Sequence, residues 1–193
     1  DYIIMHAEIT HLFIGGEIGI KLWNETQSKN STTIISLDND KINSDSMTWE
    51  KFLEKGDSKK DFNVKERLNS VNIENIQTIM YTSGTTDNPK GIPFTNVNII
   101  SKRFSRALAL PSIGSKDIFL CYLPLFHTFG RYFELMGSIF WGATYSFAES
   151  PAFNSLLNDF KIVKPTIFIS IPKRWVQLYE MIDNKLNLES DKT

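Results

Sequence analysis

A chain of 193 residues with 41% hydrophobic side chains is long enough to bury about 70% of the surface its unfolded form exposes. A formal net charge of −1 supplies no basic field for nucleic acid, so any polyphosphate chemistry has to come from local residues. One cysteine, Cys121, excludes an internal disulfide framework and is compatible with a reducing compartment; within the apolar run Phe119 to Leu123 it reads as core filler.

Taken in chain order, helices and strands alternate. Residues 1–8 read as the end of a helix, His11 to Ile14 as a strand, and Glu17 to Ser28 as an amphipathic helix entered through Gly15-Gly16. Thr33 to Leu37 is β-branched and strand-like. From residue 38 to residue 72 polar and charged side chains dominate, with a short helix predicted over 48–55; without a long Gly/Ser/Pro bias this is a surface excursion rather than a linker. Ile76 to Tyr81 is a buried-strand pattern that runs into a small-residue loop, then a short strand, so that 76–94 forms a strand–loop–strand unit. Thr95 caps a helix reaching about Leu110. Strand 118–122, helix 128–140, strand 143–147, helix 152–162, strand 166–170 and helix 172–186 follow, with a polar tail from Asn187 to Thr193 expected to fray. Such alternation predicts an α/β fold, a mostly parallel sheet with helices on both faces.

The loop after Tyr81 concentrates the chemistry. Thr82, Ser83, Gly84, Thr85 and Thr86 offer hydroxyls and backbone N–H groups, and Lys90 adds a positive charge, which together suit a polyphosphate. This is not a Walker loop, because Pro89 precedes Lys90 and Gly91-Ile92-Pro93 follows, where a Walker loop would start a helix. Read without any further context, the same composition also fits a surface turn whose hydroxyls satisfy their own backbone.

The ordered run Tyr81-Thr82-Ser83-Gly84-Thr85-Thr86-Asp87-Asn88-Pro89-Lys90-Gly91 resembles the phosphate-binding signature of the AMP-forming adenylate synthetases. Tyr122-Leu123-Pro124-Leu125-Phe126-His127 is similar to the segment bordering the acyl pocket in that family. Lys164-Pro165-Thr166 with Ile171-Pro172-Lys173-Arg174, and Tyr145 to Ser150, resemble its long-chain fatty acyl-CoA synthetase branch. The resemblance covers nearly the whole chain, more weakly over 1–75, and implies that residues 1–193 are a partial AMP-binding domain, an internal piece of a large N-terminal domain. It implies ATP with Mg2+, a fatty acid and CoA as partners, ligation through acyl-AMP, and no nucleic acid. Lys90 and His127 are then the catalytic candidates, Thr82, Ser83, Gly84, Thr85, Thr86 and Lys90 the nucleotide contacts, and His127 and Arg131 the acyl-substrate contacts. The remainder of the synthetase lies outside these residues, so the piece alone is expected to be inactive.

Other readings stand beside this one: a fatty acyl-AMP ligase, a peptide-synthetase adenylation domain, or a non-catalytic nucleotide-binding or interaction module. The last is suggested by Asp87, which stands where the family usually has glycine and would repel phosphates unless turned away or held by Mg2+. Arg131, one helical turn after His127, either gates an acyl tunnel or pairs with Glu134. The aromatic residues Phe126, Phe129, Phe133, Phe140 and Trp141, with Met136, suit an alkyl tunnel or a buried helix equally by spacing. His6 and His11 lack a metal-ligand constellation. The uncharged run Leu135 to Ala148 is shorter than the ~18–20 residues that span a bilayer. A cytoplasmic location is expected, with peripheral membrane contact left open because fatty substrates partition into membranes.

Overall fold

Short runs of β-branched and apolar residues bounded by Gly, Asn and Pro make the strands, and apolar residues at helical spacing make the covering helices. The computed structural model describes residues 1–26, 32–38, 42–43, 46–57, 63–82 and 88–190. These fall into two compact units, Asp1–Asn75 with Tyr81–Pro93, and Ile76–Met80 with Phe94–Thr193.

In the first unit, α1 (Tyr2–His6), β1 (His11–Ile14), α2 (Gly16–Asn24), β2 (Thr33–Ser36), β3 (Met47–Thr48), α3 (Trp49–Asp57) and α4 (Val64–Asn69) follow in order. β1, β2 and β3 form a parallel sheet, with Ile14 opposite Ser36 and Ile35 opposite Met47. Ile14, Trp23 and Ile34 are its buried centre, flanked by Ile4, Leu12 and Ile20. The chain enters α2 through Gly16 at φ +71°, a left-handed conformation that disfavours other residues, and the Gly16 N–H donates to Asp38 Oδ2 at 2.9 Å. The polar stretch 38–72 therefore contains more order than the one helix predicted: β3 joins the sheet, and Asn63 caps α4 by accepting from the Glu66 N–H. A two-residue strand has no readable period, which is why β3 escaped the sequence pattern.

β4 (Ile76–Thr82) and β5 (Lys90–Thr95) make a two-stranded sheet. α5 (Asn96–Ala109) starts where β5 ends: Thr95 accepts from the Asn98 N–H while the Asn98 side chain accepts from the Thr95 N–H, a reciprocal capping box. Then come β6 (Ile118–Cys121), a π-helical segment (Phe129–Leu135), α6 (Met136–Trp141), β7 (Thr144–Phe147), α7 (Phe153–Val163), β8 (Ile167–Phe168) and α8 (Pro172–Ser190). The helix predicted over 128–140 is thus real but wider-wound in its first half, and α8 continues past Asn187, where fraying was expected. The last residues, 191–193, lie outside the described ones.

β6 is central in a parallel sheet of order β7-β6-β8. Both faces of β6 are covered, so Phe119, Leu120 and Cys121 read as a continuous apolar run and are each at most 4% exposed. Burial pushes the Cys121 thiol up, with Glu134 adding to the effect. Thr166, from the Lys-Pro-Thr motif, pins β8 to β6: its hydroxyl donates to Asp117 Oδ1 at 2.7 Å and accepts from the Ile118 N–H at 2.9 Å. The Gly114 N–H and the Thr166 hydroxyl together hold the Asp117 carboxyl below its ordinary range. Lys164, at φ +49°, ends α7 in a left-handed turn just before that pin.

Removing the Thr95 hydroxyl takes away one half of the capping box. Thr95→Ala is expected to cost about 1 kcal/mol of folding stability, read as a lowered midpoint in chemical denaturation of the purified protein.

Candidate functional site

Of the nucleotide candidates, Thr82 and Lys90 lie at the ends of the paired strands β4 and β5. Thr82 is the last residue of β4 and Lys90 the first of β5, and both are exposed. Ser83, Gly84, Thr85, Thr86 and the departing Asp87 lie outside the described residues. Tyr81, just before the loop, is held from its own unit: its hydroxyl is hydrogen-bonded to His6 Nδ1 at 2.7 Å, and His6 stacks on Tyr2 at 5.1 Å. His6 is therefore a structural partner of the strand end. Among the described residues no three His, Cys, Asp or Glu side chains gather as a metal-binding group would.

In the second unit, the run Tyr122 to His127 makes a tight reversal after β6. The His127 N–H donates to the Pro124 carbonyl at 2.9 Å and the His127 carbonyl accepts from the Arg131 N–H at 3.0 Å. The exposed imidazole accepts from the Phe129 N–H at Nδ1, 3.3 Å away, and stacks on the Phe129 ring at 5.9 Å. With Nδ1 accepting, the neutral ring carries its proton on Nε2, leaving a donor free for an oxygen ligand.

Arg131 is committed inward. Its Nε donates to the Leu125 carbonyl at 2.8 Å, and its Nη1 donates to Thr78 Oγ1 on β4 at 2.9 Å. Glu134, offered as its partner by helical spacing, is fully buried and has, among the described residues, no hydrogen-bond partner at either carboxylate oxygen. A π-helical turn widens the residue spacing, so an i, i+3 pair no longer shares a face as it would in an α-helix. Burial pushes the Glu134 carboxyl up to about 8, opposed in part by the Leu123 backbone amide, which stays outside hydrogen-bonding geometry.

Gly130 explains how this segment can lie on the reversal. A Cβ there would sit 2.4 Å from the Pro124 carbonyl oxygen and 2.6 Å from that of Leu123, both backbone atoms that cannot swing aside. Arg103 of α5 is buried with all three guanidinium nitrogens unpartnered among the described residues, and burial together with Arg106 lowers it to about 10. The Arg106 guanidinium lies over the Phe133 ring at 4.2 Å. Phe133 and Phe140 pack edge-on against Trp141, while Phe126 is 76% exposed. The aromatic group thus divides into packed members and more open ones, Phe129 and Phe140 being partly open and Phe126 the most exposed of the three.

The motifs that sequence reading treated separately are also joined. Tyr122 of the reversal is hydrogen-bonded to Ser170 Oγ at 2.7 Å and stacks on Phe168 at 5.7 Å. Arg174 donates to the Pro151 carbonyl and to Gln177 Oε1, fastening the start of α8 to the turn before α7. Thr78, Gly130 and Thr166 were not singled out from the sequence as structural anchors. The signal for Thr78 was present, a lone hydroxyl sharing one strand face with Ile76 and Met80.

The AMP-binding enzyme family matches residues 1–192. Long chain acyl-CoA synthetase 3 of Arabidopsis thaliana is 35% identical over 144 residues, which is 72% of this chain and 21% of that protein. The chain spans between 15% and 29% of the length of curated relatives it matches. Among solved structures, the anthranilate CoA ligase AuaEII in complex with anthranoyl-AMP superposes with a TM-score of 0.74 at 20% identity, covering 90% of this chain and 33% of that one. ATP-bound MatB from Rhodopseudomonas palustris superposes with a TM-score of 0.68 at 16% identity, covering 92% and 32%. These likenesses agree on the α/β fold with parallel sheets. No helix among the described residues is long and apolar enough to cross a membrane.

Two outcomes follow from this geometry. Gly130→Ala is expected to destabilise the protein by about 1–3 kcal/mol through overpacking, seen as a lower thermal midpoint. Glu134, raised above its unfolded value, contributes stability below pH ~4.5 that is lost as pH climbs toward about 8, at about 1.4 kcal/mol per pH unit within that window. Glu134→Gln should flatten that slope in denaturant melts taken from pH 5 to pH 8.

Proposed function

The chain belongs to the AMP-binding enzyme family, and on that premise we propose that it is the phosphate-loop part of a long-chain fatty acid–CoA ligase. The observation that carries the reading is the ordered motif Tyr81 to Gly91, set between two paired strands so that Thr82 and Lys90 stand exposed at either end of one loop. Identity to long-chain acyl-CoA synthetases supports the substrate class.

In the proposed reaction a fatty carboxylate oxygen attacks the α-phosphorus of ATP. The bond from that phosphorus to the bridging oxygen breaks and pyrophosphate leaves; the CoA thiol then attacks the acyl carbonyl and AMP departs. The first step accumulates charge on the leaving pyrophosphate, so stabilisation there lowers the barrier. Hydroxyls of Thr82, Ser83, Thr85 and Thr86 and the amides around Gly84 bind the phosphates, and Lys90 neutralises them. A unit-charge attraction of roughly 4 kcal/mol at ~4 Å with an effective dielectric near 20 sets the scale for that cation. Mg2+, entering with the nucleotide, would add positive charge against the leaving pyrophosphate beside that of Lys90. His127 holds the acyl carboxylate through its Nε2 proton rather than acting as a base, because a carboxylate is already ionised near pH 7.

Fatty-acid-dependent exchange between ATP and labelled pyrophosphate, measured on the complete protein, tests this. Lys90→Ala should lower exchange by roughly 100- to 1,000-fold, in line with the electrostatic scale above. His127→Ala should reduce turnover by roughly 10- to 100-fold while changing the KM for ATP little. Exchange that is absent with every carboxylic acid offered would replace the ligase with a non-catalytic nucleotide-binding module, the reading that Asp87 raises.

A further inference from the structure

We propose that Arg131 is a positioning residue of this ligase, a strut that sets the histidine turn in register with the stem of the phosphate loop; the proposal rests on the ligase reading above. One guanidinium serves two segments at once. Nε holds the Leu125 carbonyl, in the turn two residues before His127, and Nη1 holds Thr78 Oγ1, in the strand that delivers Thr82. The neighbouring residue reinforces the link: the Tyr132 ring packs on Phe94 of β5 with centroids 4.8 Å apart. The π-helical segment therefore touches both strands of the loop stem, β4 through Arg131 and β5 through Tyr132.

Chemistry favours arginine for this task. The guanidinium is planar and always charged, and its N–H groups point in fixed directions, so two acceptors are held at a defined separation. A lysine ammonium is a single rotatable point that reaches one acceptor well and the second poorly. Both acceptors here are neutral, so the cation is not spent on an ion pair, and Glu134 offers none. The widened winding of the segment matters too. It turns Glu134 into the interior and leaves Arg131 half-buried, directed to β4. Because a displacement of about 1 Å between reacting groups can cost about 100-fold in rate, a link between the acyl-side histidine and the strand feeding the phosphate loop bears on the adenylation step rather than on nucleotide affinity.

The test is a double-mutant cycle on the complete protein, comparing Arg131→Ala, Thr78→Val and the double variant, with Arg131→Lys as the conservative control. Each is assayed for ATP–pyrophosphate exchange with a saturating long-chain fatty acid and for denaturant unfolding. Arg131→Ala should lower kcat by roughly 10- to 100-fold with the KM for ATP changed less than about threefold. Thr78→Val should give a smaller loss that vanishes in the Arg131→Ala background, and Arg131→Lys should recover only part of the rate. Additive losses, a change in KM for ATP that matches the change in kcat, or full rescue by lysine would each overturn the strut. Should Arg131→Ala fail to fold, Thr78→Val and Arg131→Lys carry the same comparison. The unfolding cycle separates the two levels: an inactive parent with non-additive unfolding midpoints overturns the ligase reading and the positioning role with it, whereas an active parent with additive midpoints overturns the strut alone.

Discussion

A helical segment can lie directly on a chain reversal only where no side chain stands between them, and Gly130 supplies that absence. Its hydrogen faces the Leu123 and Pro124 carbonyls at a distance that would admit no carbon atom. Close approach brings the following residues within reach of the strands below, and the wide winding from Phe129 to Leu135 decides which of them point where. Arg131 meets Thr78 and the Leu125 carbonyl, Tyr132 meets Phe94, and Glu134 faces the sheet. The contact is steric in origin and polar in its results.

Those results carry a cost. Glu134 and Arg103 are both desolvated without hydrogen-bond partners among the described residues, a combination that usually weakens a fold by several kcal/mol unless the charge is removed. The two groups respond differently. Glu134 escapes by holding its proton up to about pH 8, whereas Arg103, even lowered to about 10, stays charged at neutrality. Polar groups buried at such expense beside a candidate site fit a segment shaped by its task as well as by packing.

Much of this was legible in the residues. The parallel α/β pattern came from alternation of apolar strands with helices, and Thr95 marked the start of α5 as an N-cap residue type, the reciprocal bond with Asn98 being visible only in the structure. Cys121 lay in the core as its neighbours implied. What did not show was long-range pairing. Arg131 and Glu134 sit at a spacing that promises an ion pair in an α-helix, and nothing local announces that the turn is wider. Thr78 and Arg131 are 53 positions apart, and His6 and Tyr81 are 75 apart, separations over which periodicity carries no information. Lys90, Thr82 and His127 were located from motif order alone. Their placement on strand ends and a turn is now described, while Ser83, Gly84, Thr85 and Thr86 lie outside the described residues.

The lone sulfhydryl offers a practical handle. Cys121 sits in the central strand, 4% exposed, with its ionisation suppressed by burial, so alkylating reagents find neither access nor thiolate while β6 stays covered. Because the sequence holds no other cysteine, any modification counts openings of that one sheet. The molecule thus carries its own footprinting probe, placed in the strand that runs into the His127 turn and that Thr166 ties to β8.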